Sequence, residues 1–209
     1  MLAIDRHDLD ALLGRARALL VPRGRRLLGV TGPPGAGKST VAEAVVAAMG
    51  ADATLVGMDG FHLADDVLRR QGTYERKGAP ETFDVGGYVH LLARLRAADE
   101  AVVYAPRFHR EIEAAVAGAI PVSAATPLVV TEGNYLLLDG PGWSAVAGLL
   151  DEVWYVDPGE DVRLERLTAR HEAYGRPPDL ARARALGSDQ ANAELVARTR
   201  ERADVLVTG

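Results

Sequence analysis

The sequence predicts an α/β fold in which helices cover a mainly parallel β-sheet. Short apolar segments without polar alternation recur along the chain, as expected for strands that are buried on both faces of a parallel sheet. Segments with apolar residues at helical spacing lie between them. A glycine-rich turn connects one such strand to the helix that follows it. This alternation indicates a layered domain with a parallel sheet.

The elements follow in order from the N-terminus. Apolar residues at helical spacing between positions 9 and 20 predict an amphipathic first helix, which ends near Pro22. Strands are predicted at 27–31, 53–57, 101–104, 127–131, 152–156 and 204–207. Further helices are predicted at 39–49, 64–70, 85–98, 159–171 and 188–202.

Composition limits the domain organisation and the classes of partner. The chain has 209 residues, 48% of them hydrophobic and 25% charged. We therefore expect a single domain over 1–209, with the N-terminal helix inside 1–24. The net charge of −5 shows no basic bias, which argues against nucleic acid or an anionic membrane as a partner.

Cysteine content and hydrophobic runs limit the chemistry and the location. Cysteine is absent, which excludes disulfides, thiolate metal sites and thiol nucleophiles. No apolar run approaches the roughly 20 residues that a membrane span needs. The first twenty residues mix aspartate and arginine with apolar residues, unlike the core of a signal peptide. A cytoplasmic location is the expectation.

The glycine-rich segment after strand 27–31 has the spacing of a phosphate-binding loop, G-x-x-x-x-G-K-[ST]. Glycines let the backbone wrap around phosphates, and the N–H groups of the turn and of the next helix face the anion. Lys38 is expected to reach the β- and γ-phosphates of a nucleotide, and Ser39 to bind Mg²⁺. The predicted nucleotide-binding residues are Gly32, Pro33, Pro34, Gly35, Ala36, Gly37, Lys38, Ser39 and Thr40.

This loop alone does not separate kinases from switch GTPases, motor ATPases and transporter ATPases. The chain has no Asn-Lys-x-Asp element, which marks guanine specificity in GTPases, and no transporter ATPase signature. Its length is also short for most ATP-driven machines, which carry additional modules. These observations favour a kinase.

Two acidic residues follow predicted strands. Asp59 comes after 53–57 and Glu132 ends the segment Leu-Val-Val-Thr-Glu, with Asn134 close behind it. Ligands of parallel sheets bind beyond the carboxyl ends of the strands. Asp59 is therefore a candidate base or metal-positioning group, and Glu132 a candidate Mg²⁺ ligand, direct or through water. The alternatives are an ordinary Asp-Gly turn and a solvated carboxylate.

Several basic residues are candidates for contacts with phosphates. Arg163, Arg166 and Arg170 share one face of a predicted helix, and such a face over the phosphates would stabilise the transferring charge. Arg166 and Arg170 are the preferred catalytic pair. The alternative is a solvated face paired with neighbouring acids.

Other polar residues are candidates for the acceptor pocket. The acceptor-binding candidates are Asp59, His62, Arg76, Lys77, Arg107, His109, Glu132 and Asn134. For His62, Arg107 and His109, ordinary structural or surface contacts are the open alternative. The other histidines, at positions 7, 90 and 171, are interpreted as structural, because no close pair with zinc-ligand spacing occurs.

Four motifs resemble the phosphoribulokinase/uridine kinase superfamily. They lie at 32–40, 58–62 (Met-Asp-Gly-Phe-His), 76–84 (Arg-Lys-Gly-Ala-Pro-Glu-Thr-Phe-Asp) and 130–133 (Val-Thr-Glu-Gly). Residues 77–84 are particularly similar to bacterial pantothenate kinase. Residues 104–110 and the C-terminal half look like small bacterial nucleoside or fructose-transport kinases. The resemblance spans about residues 25 to 207.

The resemblance implies a P-loop NTPase three-layer sandwich with a five-stranded parallel core and a helical lid, placed at about 163–187. It also implies ATP, Mg²⁺ and a homodimer. By matching motif, Asp59 is the general base, Glu132 lies near metal and substrate, and Asn192 contacts nucleotide or substrate. The chain is much shorter than pantothenate kinase, and it departs from uridine kinases at Gly60 and after His62. These departures leave the acceptor open.

Together, the residues and the resemblance predict transfer of the γ-phosphoryl group of ATP to a hydroxyl of a small metabolite. A nucleoside or sugar-like alcohol is the first candidate acceptor, and a pantothenate-like alcohol is the second. A nucleotide-hydrolysing switch protein is the alternative from another class. These predictions specify a small-molecule acceptor and no nucleic acid or membrane partner.

Overall fold

The computed structural model describes residues 1–175 and 177–209. Over this part of the chain, six strands form one parallel sheet in the order β1-β8-β7-β2-β6-β3, and β4 and β5 form a separate antiparallel hairpin. The strands are β1 Leu2–Asp5, β2 Arg26–Thr31, β3 Ala53–Gly57, β4 Val102–His109, β5 Ala114–Ser123, β6 Leu128–Glu132, β7 Glu152–Asp157 and β8 Val205–Thr208.

Eight α-helices accompany these strands within the same residues. They are α1 Leu9–Ala18, α2 Lys38–Met49, α3 Asp65–Gln71, α4 Val85–Ala97, α5 Ser144–Ala147, α6 Glu160–Ala173, α7 Pro178–Leu186 and α8 Ser188–Ala197. The carboxylates of Asp8 and Asp84 cap α1 and α4 by accepting hydrogen bonds from backbone N–H groups. None of the described helices has the length and apolar character required to cross a bilayer.

The α/β fold class with a mainly parallel sheet is confirmed. The apolar strands β2, β6 and β7 are buried along nearly their whole length, as their lack of polar alternation predicts. One core cluster joins the sheet to α1 and α2 through residues such as Leu12, Val41 and Trp154. A second cluster, which includes Tyr88 and Leu92 of α4, covers the opposite face. Helices therefore pack on both faces of the sheet.

The strand count and two local assignments differ from the predictions. The parallel sheet has six strands instead of five, because β1 pairs with β8 at the edge of the sheet. The strand predicted at 101–104 belongs to the β4–β5 hairpin and lies outside the parallel sheet. The helix predicted at 188–202 ends as an α-helix at Ala197, and a 3₁₀ turn follows at Arg200–Arg202.

The predicted lid region contains two helices. The sequence predicts a helix at 159–171, whereas the structure has α6 at Glu160–Ala173 and adds α7 at Pro178–Leu186. Pro178 occupies the first turn of α7, where a missing N–H is tolerated. Position 176, within the predicted lid at about 163–187, lies outside the described residues.

Candidate active site

The turn between β2 and α2 has the shape of a phosphate cradle. Gly32, Gly35 and Gly37 all have positive φ angles, of 147°, 84° and 92°, which glycine adopts without a Cβ clash. Gly37 is the N-cap of α2, so the N–H groups at the start of the helix point out of the turn. Ser39 and Thr40 are exposed in the first turn of α2. The Lys38 ammonium group is buried and donates to the carbonyl of Pro33 at 3.0 Å.

Helix α6 contacts this turn from one side. The carbonyl oxygen of Arg163 lies only 2.7 Å from the position that a Cβ on Gly35 would occupy. The Arg163 guanidinium is buried, donates to the carbonyl of Pro34 at 3.2 Å, and is paired with Glu160. A glycine at position 35 therefore allows α6 to contact the turn. Arg163, the first member of the predicted arginine face, is occupied by these contacts.

Asp59 and Glu132 lie beside the turn because the parallel sheet brings strand ends together. Glu132 is paired in register with Gly57 on β3 and with Val30 on β2. Asp59 lies in the 3₁₀ turn that directly follows β3. A Cβ on Gly57 would lie 3.4 Å from the Oε1 atom of Glu132. Because glycine has no Cβ, the Glu132 side chain has room at this point.

The buried charges of the site influence one another. Burial raises the pKa of the Glu132 carboxyl and repulsion from Asp59 adds to the rise, while Lys38, Arg110 and the Ser39 hydroxyl oppose it. Burial lowers the pKa of the Lys38 ammonium, and attraction to Glu132 and Asp59 opposes that change. Burial therefore disfavours the charged form of both groups. A polyphosphate–metal complex would compensate both charges.

One cavity of about 500 Å³ connects the phosphate cradle, the two acids and helices α6, α7 and α8. It is lined mainly by charged and amide side chains, together with several aromatic rings. Its lining comprises Pro34, Lys38, Ser39, Asp59, His62, Asp65, Tyr74, Glu75, Lys77, Gly78, Phe83, Phe108, Arg110, Glu113, Glu132, Gly133, Asn134, Arg170, His171, Tyr174, Arg184, Asp189 and Asn192.

Many of the sequence-predicted site residues meet at this cavity. The predicted residues that line it are Pro34, Lys38, Ser39, Asp59, His62, Lys77, Glu132, Asn134, Arg170 and Asn192. Lys77 is not free, because its ammonium group lies 2.7 Å from the Asp65 carboxylate and 2.8 Å from the carbonyl of Glu113. It therefore ties two walls of the cavity together.

His62 is held firmly in the cavity wall. Its Nδ1 atom lies 2.9 Å from the carbonyl oxygen of Asp59, and its ring packs against Phe83 at 4.1 Å and Phe108 at 4.9 Å between centroids. Burial lowers the pKa of His62, which favours the neutral imidazole. A neutral His62 that donates from Nδ1 can accept a hydrogen bond at its other nitrogen.

Four of the predicted catalytic and acceptor-binding residues lie outside the described lining of the cavity. Arg76 is exposed and forms an ion pair with Glu81 at 2.8 Å. Arg107 and His109 do not line the cavity. Their chain neighbours Phe108 and Arg110 line it instead, because successive side chains of an extended chain point to opposite faces.

A bulge between Ala105 and Arg107 also shifts the register of this strand, which sequence spacing alone does not reveal. Arg166, the fourth residue, is exposed one helical turn before Arg170. At these four positions the structure does not place the residue in the lining of the cavity, and their predicted contacts with the acceptor or the phosphates stay predictions.

The structure also brings unpredicted residues to the cavity. Arg110 approaches Asp59, with 3.4 Å between Nη2 and Oδ2. His171, which we interpreted as structural, lies 2.7 Å from the Asp189 carboxylate at the cavity wall. Arg184 of α7 donates to the backbone carbonyls of Glu75 and Lys77 and so connects the lid to the loop before α4. The alternation of side chains along a strand was the one sequence signal for Arg110. His171 and Arg184 could be placed only from the packing of helices α6, α7 and α8.

The site has the groups needed to hold a nucleotide and a divalent cation. Hydroxyl and carboxylate oxygens suit Mg²⁺, and Ser39 and Glu132 supply one of each beside the cradle. The positive φ angles of the glycines and the Lys38 ammonium group suit the binding of a phosphate chain. A nucleophile that enters the cavity would meet Asp59 near the end of that chain.

Comparison with known proteins identifies the family. The model of the Phosphoribulokinase / Uridine kinase family matches residues 27–208. An ATP-dependent kinase-like protein from Aspergillus versicolor is 34% identical over 161 residues, which cover 73% of this chain and 94% of that protein. A Schizosaccharomyces pombe protein with the provisional name uridine kinase C227.14 is 33% identical over 182 residues, or 83% of this chain and 77% of that protein.

A solved structure extends the similarity to the fold. The crystal structure of a protein from Silicibacter sp. TM1040, provisionally named a fructose transport system kinase, has a TM-score of 0.85 and 39% sequence identity. The superposition covers 95% of this chain and 98% of that one. From the extent of the family match and the cradle-and-acid geometry, we conclude that this chain belongs to the phosphoribulokinase/uridine kinase family of P-loop kinases.

Proposed function

We propose that the chain transfers the γ-phosphoryl group of ATP, in a Mg²⁺-dependent reaction, to a hydroxyl group of a small metabolite. The observation that carries this proposal is the meeting of Lys38, Ser39, Asp59 and Glu132 at one cavity. Phosphoryl transfer depends on positioning and on charge stabilisation, and these four groups supply both.

The phosphate chain is bound by the cradle. The N–H groups at the start of α2 and the Lys38 ammonium bind the β- and γ-phosphates. Ser39 and Glu132 would hold Mg²⁺, which supplies neutralisation of the phosphate charge. Because Glu132 is buried next to Asp59, the two carboxylates favour cation binding at this point.

The acceptor hydroxyl is oriented by Asp59, which takes or positions its proton as the phosphoryl group transfers. Arg110 and Arg170 bring positive charge to the same cavity and stabilise the transferring group. Arg166 remains a proposed partner of Arg170. The helices α6 and α7 form the lid that limits access of water, and hence wasteful hydrolysis.

For the acceptor, we infer a nucleoside or a sugar-like alcohol. The provisional names of the relatives point to such molecules, and a cavity of about 500 Å³ is of the size that takes a small metabolite. The carboxylate, amide and imidazole groups of the cavity can form hydrogen bonds with several hydroxyls of an acceptor. The Phe108 ring provides an apolar surface. A pantothenate-like alcohol is the second candidate, supported by the resemblance of residues 77–84, of which Lys77, Gly78 and Phe83 line the cavity.

An acceptor panel tests the reaction class. Purified protein is incubated with ATP, Mg²⁺ and a set of nucleosides, sugars and pantothenate-like alcohols, and products are read by mass spectrometry. A phosphorylated alcohol is the expected product. A partner protein that binds only in one nucleotide state, with no acceptor phosphorylated, would favour the switch alternative instead.

The substitution Asp59→Asn tests the residue assignment. It should lower kcat by about 10²- to 10⁴-fold while the affinity for ATP stays near that of the wild type. The matched control is Asp66→Asn, since this carboxylate is 82% exposed and pairs with Arg69 at the surface. Near wild-type turnover of Asp59→Asn would show that Asp59 is not the base.

The dimer and the cytoplasmic location stay predictions.

A further inference from the structure

The first strand adds a residue to the edge of the candidate nucleotide site. Strand β1 lies outside the residues that match the family model, which begin at 27. It is anchored next to the C-terminal end of β8, where Asp5 pairs with Thr208 and the N–H of Arg6 donates to the Thr208 carbonyl at 2.7 Å. Since nucleotides bind beyond the carboxyl ends of parallel strands, this anchoring places Arg6 on the ligand side of the sheet.

The Arg6 guanidinium packs directly on the phosphate cradle. A Cβ on Gly37 would lie 2.9 Å from its Nη1 atom and 3.1 Å from its Nη2 atom. Its Nη1 atom is buried and makes no hydrogen bond to any of the described residues. A guanidinium has five N–H donors, and a buried donor without an acceptor is unfavourable. Phosphate oxygens beside Gly37 would supply acceptors for this group.

The positive charge of Arg166 on α6 acts on Arg6. Burial and repulsion from Arg166 lower the pKa of Arg6, although Asp5 opposes the change. Arg166 lies on α6 one turn before Arg170, which faces the acceptor cavity. This repulsion adds to the cost of the buried Arg6 donor, and an anion beside Gly37 would offset both.

We propose that Arg6 binds the phosphates of the nucleotide that lie nearer the nucleoside. Arg6 does not belong to the described lining of the acceptor cavity, whereas Arg170 and the two acids do. The γ-phosphate would lie at the cavity, so the α- and β-phosphates extend along Gly37 towards Arg6. The inference rests on the proposed ATP-dependent function. It makes the N-terminal strand a part of the nucleotide site.

The test is a binding series with nucleotides of decreasing charge. Calorimetry measures ATP, ADP, AMP and adenosine on the wild type, Arg6→Gln and Arg6→Ala, with the exposed Arg198→Ala as a matched control. Loss of a charge-assisted hydrogen bond should weaken ATP and ADP about tenfold or more in both Arg6 variants. Adenosine should bind as it does to the wild type, and Arg6→Lys should recover part of the ADP affinity.

Two results would overturn the inference. One is wild-type affinity for ATP and ADP in Arg6→Gln. The other is an equal loss for adenosine and ADP, which would mean that Arg6 only fills space beside Gly37. If the wild type itself bound none of the adenine nucleotides, the proposed function would fail first. Steady-state kinetics adds a second readout, because KM for ATP should rise in Arg6→Gln while KM for the acceptor stays unchanged.

Discussion

Gly60 allows the hairpin to pack against the turn that carries Asp59, and its replacement by alanine should disturb the acceptor side of the site. A Cβ at position 60 would lie 2.7 Å from the carbonyl oxygen of Pro106 on β4. Ordinary contacts begin near 3.4 Å, so the turn and the hairpin would have to separate by about 0.7 Å. The obstacle is a backbone atom and cannot rotate away.

The separation would reach candidate catalytic groups on both sides of the contact. Asp59 directly precedes Gly60, and β4 leads from Pro106 to Phe108 and then to Arg110 at the cavity. A displacement approaching 1 Å in a reacting group costs about 10²-fold in rate. Overpacking of this kind also lowers the free energy of unfolding by about 1–3 kcal/mol.

The assay compares kcat/KM for the acceptor, the affinity for ATP and urea-induced unfolding. Gly60→Ala should lose about 10²-fold in kcat/KM and keep its ATP affinity, since the cradle is not part of the contact. Gly14→Ala is the matched control: no atom lies within 4 Å of its added Cβ, and alanine in α1 should stabilise the protein by about 0.5–1 kcal/mol. Wild-type kinetics and stability in Gly60→Ala would refute the reasoning.

Two further predictions concern buried charges. Arg25→Met should lower the free energy of unfolding by about 2–4 kcal/mol in urea titrations, because its buried guanidinium donates to the carbonyls of Leu95, Ser123 and Thr126; equal stability would contradict this. For Glu132, the raised pKa means that the nucleotide-free folded state binds more protons, so stability falls as pH rises above about 4.5. Glu132→Gln should weaken that fall between pH 5 and 8, and an unchanged pH profile of unfolding would count against it.

The phosphate cradle could be predicted because its residues are contiguous. Local spacing of glycines, a lysine and a serine determines the turn, and the apolar strand and the helix on either side agree with it. Asp59 and Glu132 could also be placed, since a parallel sheet brings the carboxyl ends of its strands to one edge. For these groups, a correct fold class was sufficient to predict proximity.

The wall of the cavity that β4, α6 and α8 form could not be predicted in the same way. Which side chains of β4 enter the cavity depends on the bulge before Arg107 and on the packing of the hairpin against Gly60. The pairing of His171 with Asp189 joins α6 to α8, and no local pattern relates two helices separated in sequence. Strand β1 was missed because a four-residue edge strand is stabilised mainly by its partner β8.

By itself, the sequence determined the α/β class, the phosphate cradle and the acids beside it, because these follow from short-range spacing and from the general topology of parallel sheets. Only the tertiary structure decided that Arg110, rather than Arg107, faces Asp59, and that Arg6 reaches Gly37. Those contacts join distant segments. Their geometry depends on side-chain packing across the whole fold, which local sequence patterns do not encode.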